Sequence, residues 1–98
     1  MTGPDPRLPD AELTLLVAGD SPTSVAAQVN LARLLESRPA LGGSVRIIDV
    51  LAEPHHAARH RVLFTPTLIV STPEREFRVV GDLRETAPLR FLLGDAHH

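Results

Sequence analysis

The connection that decides the fold is the stretch Val17-Ala18-Gly19-Asp20-Ser21-Pro22-Thr23-Ser24, which leads from an apolar segment into an amphipathic one. Ser21 is a favoured N-cap residue, and Pro22 suits the first helical position because its missing N–H would be unpaired there anyway. Gly19 stands at the end of the apolar segment, where a tight turn or a positive φ is the usual reason for a glycine. This stretch therefore predicts a strand, a tight turn and the start of a helix.

The flanking segments extend this unit into a small α/β domain. The apolar run before the turn has the pattern of a strand buried on both faces, and Gly42-Gly43 leads from the helix into a second apolar strand. A strand, a helix and a strand at this spacing form a right-handed unit with parallel strands. A short helix, a hairpin and a final helix complete the order β-α-β-α-β-β-α. The predicted strands span residues 13–18, 44–50, 67–71 and 76–80, and the predicted helices span 21–38, 55–62 and 85–93.

The composition of the 98 residues excludes several classes of function. The chain has no cysteine, which excludes disulfide exchange, thiolate nucleophiles and cysteine-based metal sites. Ten basic residues, all arginine, against twelve carboxylates give a net charge of −2, and only three residues are aromatic, so we expect no nucleic-acid partner. No apolar run approaches the ~20 residues of a membrane span, and we expect a cytoplasmic protein without a membrane contact.

One domain accounts for most of the chain. Its predicted boundaries are residues 12 and 94, a length that suits a single aliphatic core. The segment 1–11 has three prolines among polar residues, which forbid a helix and offer little to bury, so we predict a disordered N-terminal arm. Residues 95–98 are predicted to form a flexible tail.

Further motifs occur in the order found in a family of bacterial clock proteins. They are Ile48-Asp49-Val50-Leu51, Pro54, Thr65-Pro66-Thr67-Leu68 and Val80-Gly81-Asp82-Leu83. With residues 17–24 they make the chain resemble the KaiB family, without a gap from Leu13 to about Gly94. The element order and this resemblance together imply a thioredoxin-like fold with a mixed four-stranded sheet.

The resemblance implies a non-enzymatic regulatory protein with a protein partner. Family members dock onto a KaiC-like ring ATPase or a related sensor histidine kinase and act in circadian, rhythmic or stress signalling. Carried over by position, two basic contact residues fall on Arg46 in strand two and on Arg78 in the hairpin. Arg33 and Asp49 complete the candidate partner-binding residues, since guanidinium groups and carboxylates pair across interfaces. The alternative is that the arginines are solvated and that Asp49 serves a turn or an ion pair within the chain.

The resemblance also raises the question of which of two folds the chain prefers. The ground state of the family assembles into tetramers and has a rearranged C-terminal half, whereas the thioredoxin-like state binds the ATPase. A family glycine falls on Leu92, and leucine is a better helix former than glycine by roughly 0.8 kcal/mol. We therefore predict the thioredoxin-like form, with a helix at 85–93.

Several motif residues are expected to have structural roles. Thr65-Pro66 stands just before a strand, where thioredoxin-like folds place a cis proline beside the loop after strand one, and we predict a cis bond rather than an ordinary trans turn. Gly81 is a single glycine at a strand end, and Asp82 is a candidate for turn hydrogen bonds. Gly19, Ser21 and Pro22 are likewise expected to have structural roles, in the turn after strand one and at the start of helix one.

No catalytic group, cofactor or metal site is predicted. Ser21 has no histidine nearby in sequence and no nucleophile elbow, and no phosphate-binding glycine motif occurs in the chain. His56 and His60 lie four residues apart on a predicted helix, near His55 and Glu53, but no further ligand motif follows. We interpret them as part of a solvated helix face.

Two other functions remain open. A cysteine-free thioredoxin-like carrier or enzyme would use Ser21 or a bound thiol such as glutathione. A chaperone-like homo-oligomer, a dimer or a tetramer, would use the broad apolar arc of helix one, which includes Val25 and Val29, and the strand edge at Val79 and Val80.

Overall fold

The computed structural model describes residues 12–37, 45–73 and 75–84 of the chain. Within these ranges the elements follow the predicted order. They are β1 (Glu12–Val17), α1 (Pro22–Ser37), β2 (Val45–Asp49), α2 (Pro54–Arg59), β3 (Thr67–Ser71) and β4 (Glu76–Val80). The helix predicted at 85–93, the arm at 1–11 and the tail at 95–98 lie outside the described residues.

The four strands form one mixed sheet in the order β2-β1-β3-β4. β1 runs parallel to β2 and antiparallel to β3, and β3 and β4 form an antiparallel hairpin. The parallel pair follows from the crossover through α1, since a tight turn can join only antiparallel strands. Leu15 and Leu16 point to opposite faces of β1 and both are fully buried, so the central strand is covered on both faces as predicted.

The main core lies between α1 and one face of the sheet. Burial of an aliphatic side chain of this size stabilises a fold by roughly 1.5–3 kcal/mol, so this layer provides most of the driving force for folding. The buried residues of the layer are Leu13, Leu15, Val17, Ala27, Leu31, Leu34, Leu68, Val70 and Leu83.

α1 presents a narrower face to the sheet than the sequence predicted. Its buried residues are Ser24, Ala27, Leu31 and Leu34, which follow one stripe at helical spacing. Val25 and Val29, which belong to the broad apolar arc of this helix, are 46% and 45% exposed. The arc is wider than the buried stripe because the sheet covers only one side of α1. Neither helix of the described part combines the length and the apolar character that a bilayer crossing demands.

α2 ends at Arg59, earlier than predicted. Arg61 follows with a φ of +55°, and the N–H groups of Arg61 and Val62 donate to carbonyl oxygens of the preceding turn at 3.1 and 2.9 Å. This is a Schellman arrangement, which closes a helix and redirects the chain. Leu63 is 87% exposed, because the chain has already left the helix at this position.

Candidate functional site

The loop after β1 is fastened by two serines. The Oγ of Ser21 accepts a hydrogen bond from the N–H of Ser24 at 3.3 Å, so Ser21 caps α1 as predicted. The Oγ of Ser24 accepts a hydrogen bond from the N–H of Ala18 at 3.0 Å, and Ser24 is fully buried. The sequence analysis missed Ser24. The available signal was its position, three residues before Ala27 on the stripe that faces the sheet.

Gly19 lets this loop approach the turn after β2. Its φ is +57°, and a β-carbon at this position would lie 3.1 Å from Cδ1 of Leu51. Both the backbone conformation and the neighbouring side chain therefore favour glycine. Leu51 is itself 69% exposed, so this contact between the two loops lies at the surface.

Asp49 connects the same two loops through hydrogen bonds. Its Oδ1 accepts hydrogen bonds from the N–H of Gly19 at 3.0 Å and from the N–H of Leu51 at 2.9 Å. The bond from Gly19, followed by that from Leu51, holds the pKa of the Asp49 carboxyl below its ordinary value. Asp49 therefore has the turn role that the sequence analysis gave as the alternative to a partner contact.

The Thr65–Pro66 peptide bond is cis, as predicted. The carbonyl oxygen of Pro66 accepts a hydrogen bond from the N–H of Gly81 at 2.9 Å, which joins this turn to the end of β4. Gly81 has a φ of +120°, a conformation that requires glycine. Next to the cis bond Phe64 is 67% exposed, so the turn presents an aromatic ring to solvent.

Asp82 joins the end of β4 to α1. Its side chain pairs with Arg84, whose Nη2 lies 2.9 Å from Oδ2, and the hydrogen bonds from Arg84 lower the pKa of the Asp82 carboxyl. Its carbonyl oxygen accepts a hydrogen bond from Nδ2 of Asn30 at 2.8 Å. The local sequence around Asn30 does not predict this contact, because the partner lies 52 residues away.

Arg46 and Arg78 lie on the same face of the sheet, in one row that crosses all four strands. The row runs from Arg46 through Thr14 and Ile69 to Arg78. Neighbouring strands are about 4.8 Å apart, so the two arginine positions are separated by roughly 14 Å. Both are exposed, and within the described residues no hydrogen bond or ion pair engages the side chain of Arg46.

Arg78 is engaged within the chain. Its Nη1 donates to the carbonyl oxygen of Arg61 at 3.2 Å, and its Nη2 donates to the carbonyl oxygen of His60. Nε and Nη2 both approach Oε2 of Glu76 at 3.2 Å. A cation is favourable at the carbonyl oxygens that end a helix. Since the guanidinium group of Arg78 contacts these oxygens after α2, it links α2 to β4.

Arg33 is separated from this row. α1 covers the face of the sheet that carries Leu13 and Leu15, whereas Arg46 and Arg78 project from the other face. Arg33 is exposed on α1. The candidate partner-binding residues therefore do not form one cluster: two share a face, Asp49 joins two loops, and Arg33 lies on the opposite side.

A group of titratable side chains lies at the turn before α2 and in its first residues. One donor atom each from Glu53, His55 and His56 lies within 4.8 Å of the others. The rings of His56 and His60 are stacked with their centroids 6.2 Å apart. Burial of His60, with Arg59 and His56 nearby, lowers the pKa of its imidazole.

The fold and the loops define the class of protein. A cis proline lies before β3 of a mixed sheet, as in thioredoxin-like proteins, and the loop after β1 carries Gly19, Asp20 and Ser21 without a cysteine. The structure is similar to mitochondrial thioredoxin 3 from Saccharomyces cerevisiae, with a TM-score of 0.71 and 18% identity over 88% of this chain and 78% of that one. Thioredoxin from Trypanosoma brucei brucei matches with a TM-score of 0.72 and 17% identity over 91% and 76% of the two chains. This likeness shows a thioredoxin-like fold.

The sequence relatives identify the family. The profile of the KaiB domain matches residues 14–95. The circadian clock oscillator protein KaiB of a Synechococcus species is 37% identical over 82 residues, which cover 84% of this chain and 73% of that protein. The circadian clock protein KaiB3 of a Synechocystis species is 35% identical over 82 residues, 84% of this chain and 78% of its own length. The chain belongs to the KaiB family of circadian clock proteins.

Proposed function

We propose that this chain is a non-enzymatic cytoplasmic regulator that binds a KaiC-like ring ATPase, or a related sensor histidine kinase, in circadian, rhythmic or stress signalling. The observation that supports this most strongly is a KaiB family domain with a thioredoxin-like fold and no cysteine. Without a thiol the chain cannot exchange disulfides, so we assign the surface around the cis proline a role in binding a partner. Hydrogen bonds from backbone N–H groups to the side chains of Asp49 and Ser24 hold the adjacent loops in place, and preorganisation lowers the entropy loss on binding.

The proposed contact surface includes the β2 edge of the sheet. Arg46 is exposed there, and the adjacent Ile47 is 51% exposed on the other face of the strand. A guanidinium group on one face of an edge strand and an apolar side chain on the other suit a partner that contacts the strand on both faces, through carboxylates on one and apolar groups on the other. Exposed parts of α1 and of the β3–β4 hairpin would extend the contact.

Binding would act by a population shift. A partner stabilises whichever conformation or oligomer it contacts best, by as much as its affinities for the alternatives differ. The described residues already have the thioredoxin-like arrangement, so a partner that prefers this form would select it over a tetramer. The proposed regulation therefore requires a difference in affinity and no chemistry on the chain itself.

The test is to measure binding of the full chain to a purified KaiC-like ring ATPase and, separately, to a purified sensor histidine kinase of the related kind. We expect Arg46→Ala to weaken binding about tenfold or more, which is the loss expected for a buried interface arginine. Arg59→Ala is the matched control, because Arg59 is also exposed but lies on α2. Arg78→Ala is less informative, since its loss would also remove a contact that holds α2 to β4.

Three results would change the proposal. If neither class of partner binds the wild-type chain, the proposed function is wrong. If the wild type binds glutathione, the carrier alternative gains support instead. Sedimentation at several protein concentrations separates a monomeric adaptor from a homo-oligomer, because only the oligomer changes its mass with concentration.

A further inference from the structure

The turn between β2 and α2 brings three metal-ligating side chains together. Donor atoms of Glu53, His55 and His56 all lie within 4.8 Å of one another. The backbone of this segment is held by hydrogen bonds from the N–H of Glu53 to Asp49 O at 2.9 Å and from the N–H of His56 to Glu53 O at 3.1 Å. The three side chains thus start from a defined backbone, which limits the entropy lost when they converge on an ion.

The separation of two of the donors suits chelation. Nε2 of His56 lies 3.5 Å from Oε1 of Glu53. Two nitrogen or oxygen ligands at 2.0–2.1 Å from a tetrahedral zinc ion are about 3.4 Å apart. This pair therefore already has the spacing of two ligands of one ion, and a donor atom of His55 lies within 4.8 Å of donor atoms of both.

The environment of His56 leaves its imidazole available. Its side chain is only 12% exposed, and its buried Nδ1 has no hydrogen-bond partner in the described part of the chain. Metal-bound histidines usually have a second nitrogen that is fixed by a hydrogen bond. Among the described residues Nδ1 of His56 lacks such a hydrogen bond and is buried, so Nε2, which lies 3.5 Å from Oε1 of Glu53, is the nitrogen that can bind the ion.

We propose that Glu53, His55 and His56 form a binding site for a divalent transition-metal ion of the Zn²⁺, Ni²⁺ or Cu²⁺ type, with water completing the coordination. Two imidazoles and one carboxylate favour these ions, whereas Mg²⁺ and Ca²⁺ prefer ligand sets made only of oxygen atoms. The bound ion cross-links the turn after β2 to the first residues of α2. This inference does not depend on the proposed function, because it rests on the geometry of the turn alone.

The test is calorimetric titration of the untagged full chain with ZnCl₂ and with NiCl₂. His97 and His98 are replaced by alanine in every protein, so that adjacent terminal imidazoles do not bind the metal. We expect saturable binding of one ion, and we expect His55→Ala and Glu53→Gln each to weaken it about tenfold or more, at least the loss seen when supporting residues of a metal site are removed. MgCl₂ should produce no saturable binding.

His60→Ala is the matched control, since His56 and His60 are four residues apart and offer an alternative pair. We expect this variant to retain the affinity of the parent protein. The proposal is overturned if the parent protein binds no zinc or nickel. It is also overturned if His55→Ala and Glu53→Gln bind as tightly as the parent, or if His60→Ala is the variant that loses affinity. Circular dichroism of each variant without metal verifies that the fold is intact.

Discussion

At the scale of single residues, Gly19 is subject to two constraints of different size. Its φ of +57° is the left-handed conformation, which costs an L-residue roughly 1–2 kcal/mol. The contact that a β-carbon would make, 3.1 Å from Leu51 Cδ1, involves the end of a flexible and exposed side chain. Leu51 can rotate away, so the cost of the left-handed backbone conformation is the larger of the two.

Gly19→Ala should therefore lower the free energy of unfolding by about 1–2 kcal/mol, measured by urea denaturation. The matched experiment repeats the substitution in a Leu51→Ala background. The loss should be the same within about 0.5 kcal/mol, the usual limit for sites that do not couple. Complete rescue by Leu51→Ala would show that the side-chain contact, rather than φ, determines the loss.

The Asp49 carboxylate makes stability depend on pH. Hydrogen bonds from Gly19 and Leu51 depress its pKa in the folded state below the ordinary value of 3.8. A depressed pKa contributes stability that is fully present above the unfolded pKa and is lost as the pH falls through the folded one. Asp49→Asn should therefore be less stable than wild type at pH 7, and the difference should shrink as the pH falls below about 4. Urea denaturation at a series of pH values measures this, and a difference independent of pH would contradict it.

At the scale of elements, the end of α2 carries a strained residue. Arg61 closes the helix with a φ of +55°, a position that glycine usually fills. A non-glycine residue in this conformation costs of the order of 1–3 kcal/mol, partly offset by the 0.4–1 kcal/mol that glycine adds to the entropy of the unfolded chain. The interaction with Arg78 uses only the carbonyl oxygen of Arg61, which any residue supplies.

Arg61→Gly should accordingly stabilise the protein by about 1 kcal/mol, seen as a higher urea midpoint. Arg61→Ala removes the same guanidinium group but keeps the β-carbon, so it should leave the midpoint nearly unchanged. Equal stabilisation by both variants would mean that repulsion of the arginine charge, rather than φ, is the source of the gain.

The elements also differ in how far local sequence predicts them. The start of α1 was predicted because Ser21 and Pro22 act on their immediate neighbours. The inward face of α1 was only partly predicted. Ser24 lies on the same stripe as Ala27, but its burial and the exposure of Val25 depend on where the sheet lies, and the apolar pattern of the helix includes Val25 as well. The cis bond before β3 was expected from the resemblance rather than from Pro66 itself.

At the scale of the whole molecule, the central strand β1 contributes several buried side chains to the core. Leu15 is fully buried and lies between Ile47 of β2 and Leu68 of β3 in the sheet register. Truncation of such a residue removes apolar burial and leaves a cavity, at a cost of about 2–5 kcal/mol. Small domains have a total stability of about 5–15 kcal/mol, so this is a large part of it.

Leu15→Ala should lower the free energy of unfolding by about 2–5 kcal/mol. Val29→Ala is the control for loss of an aliphatic side chain, since Val29 is 45% exposed on α1 and should change stability by no more than about 0.5 kcal/mol. Thermal and urea unfolding measure both. Comparable losses would mean that the exposed side of α1 is covered by a further contact, such as a second copy of the chain.

The sequence by itself determined the order of elements, the parallel pairing of β1 and β2, the cap at Ser21 and the exclusion of thiol chemistry. These depend on spacing, on neighbouring residues and on composition, and all three can be read along the chain. Only the tertiary structure decided that Asp49 binds the loop at Gly19, that Arg78 links the end of α2 to β4, and that Asn30 meets Asp82. Each of these contacts joins residues that are far apart in sequence. The contacts form only if the sheet register and the position of the helix are right, because a register shift of one residue would turn each strand side chain to the other face of the sheet.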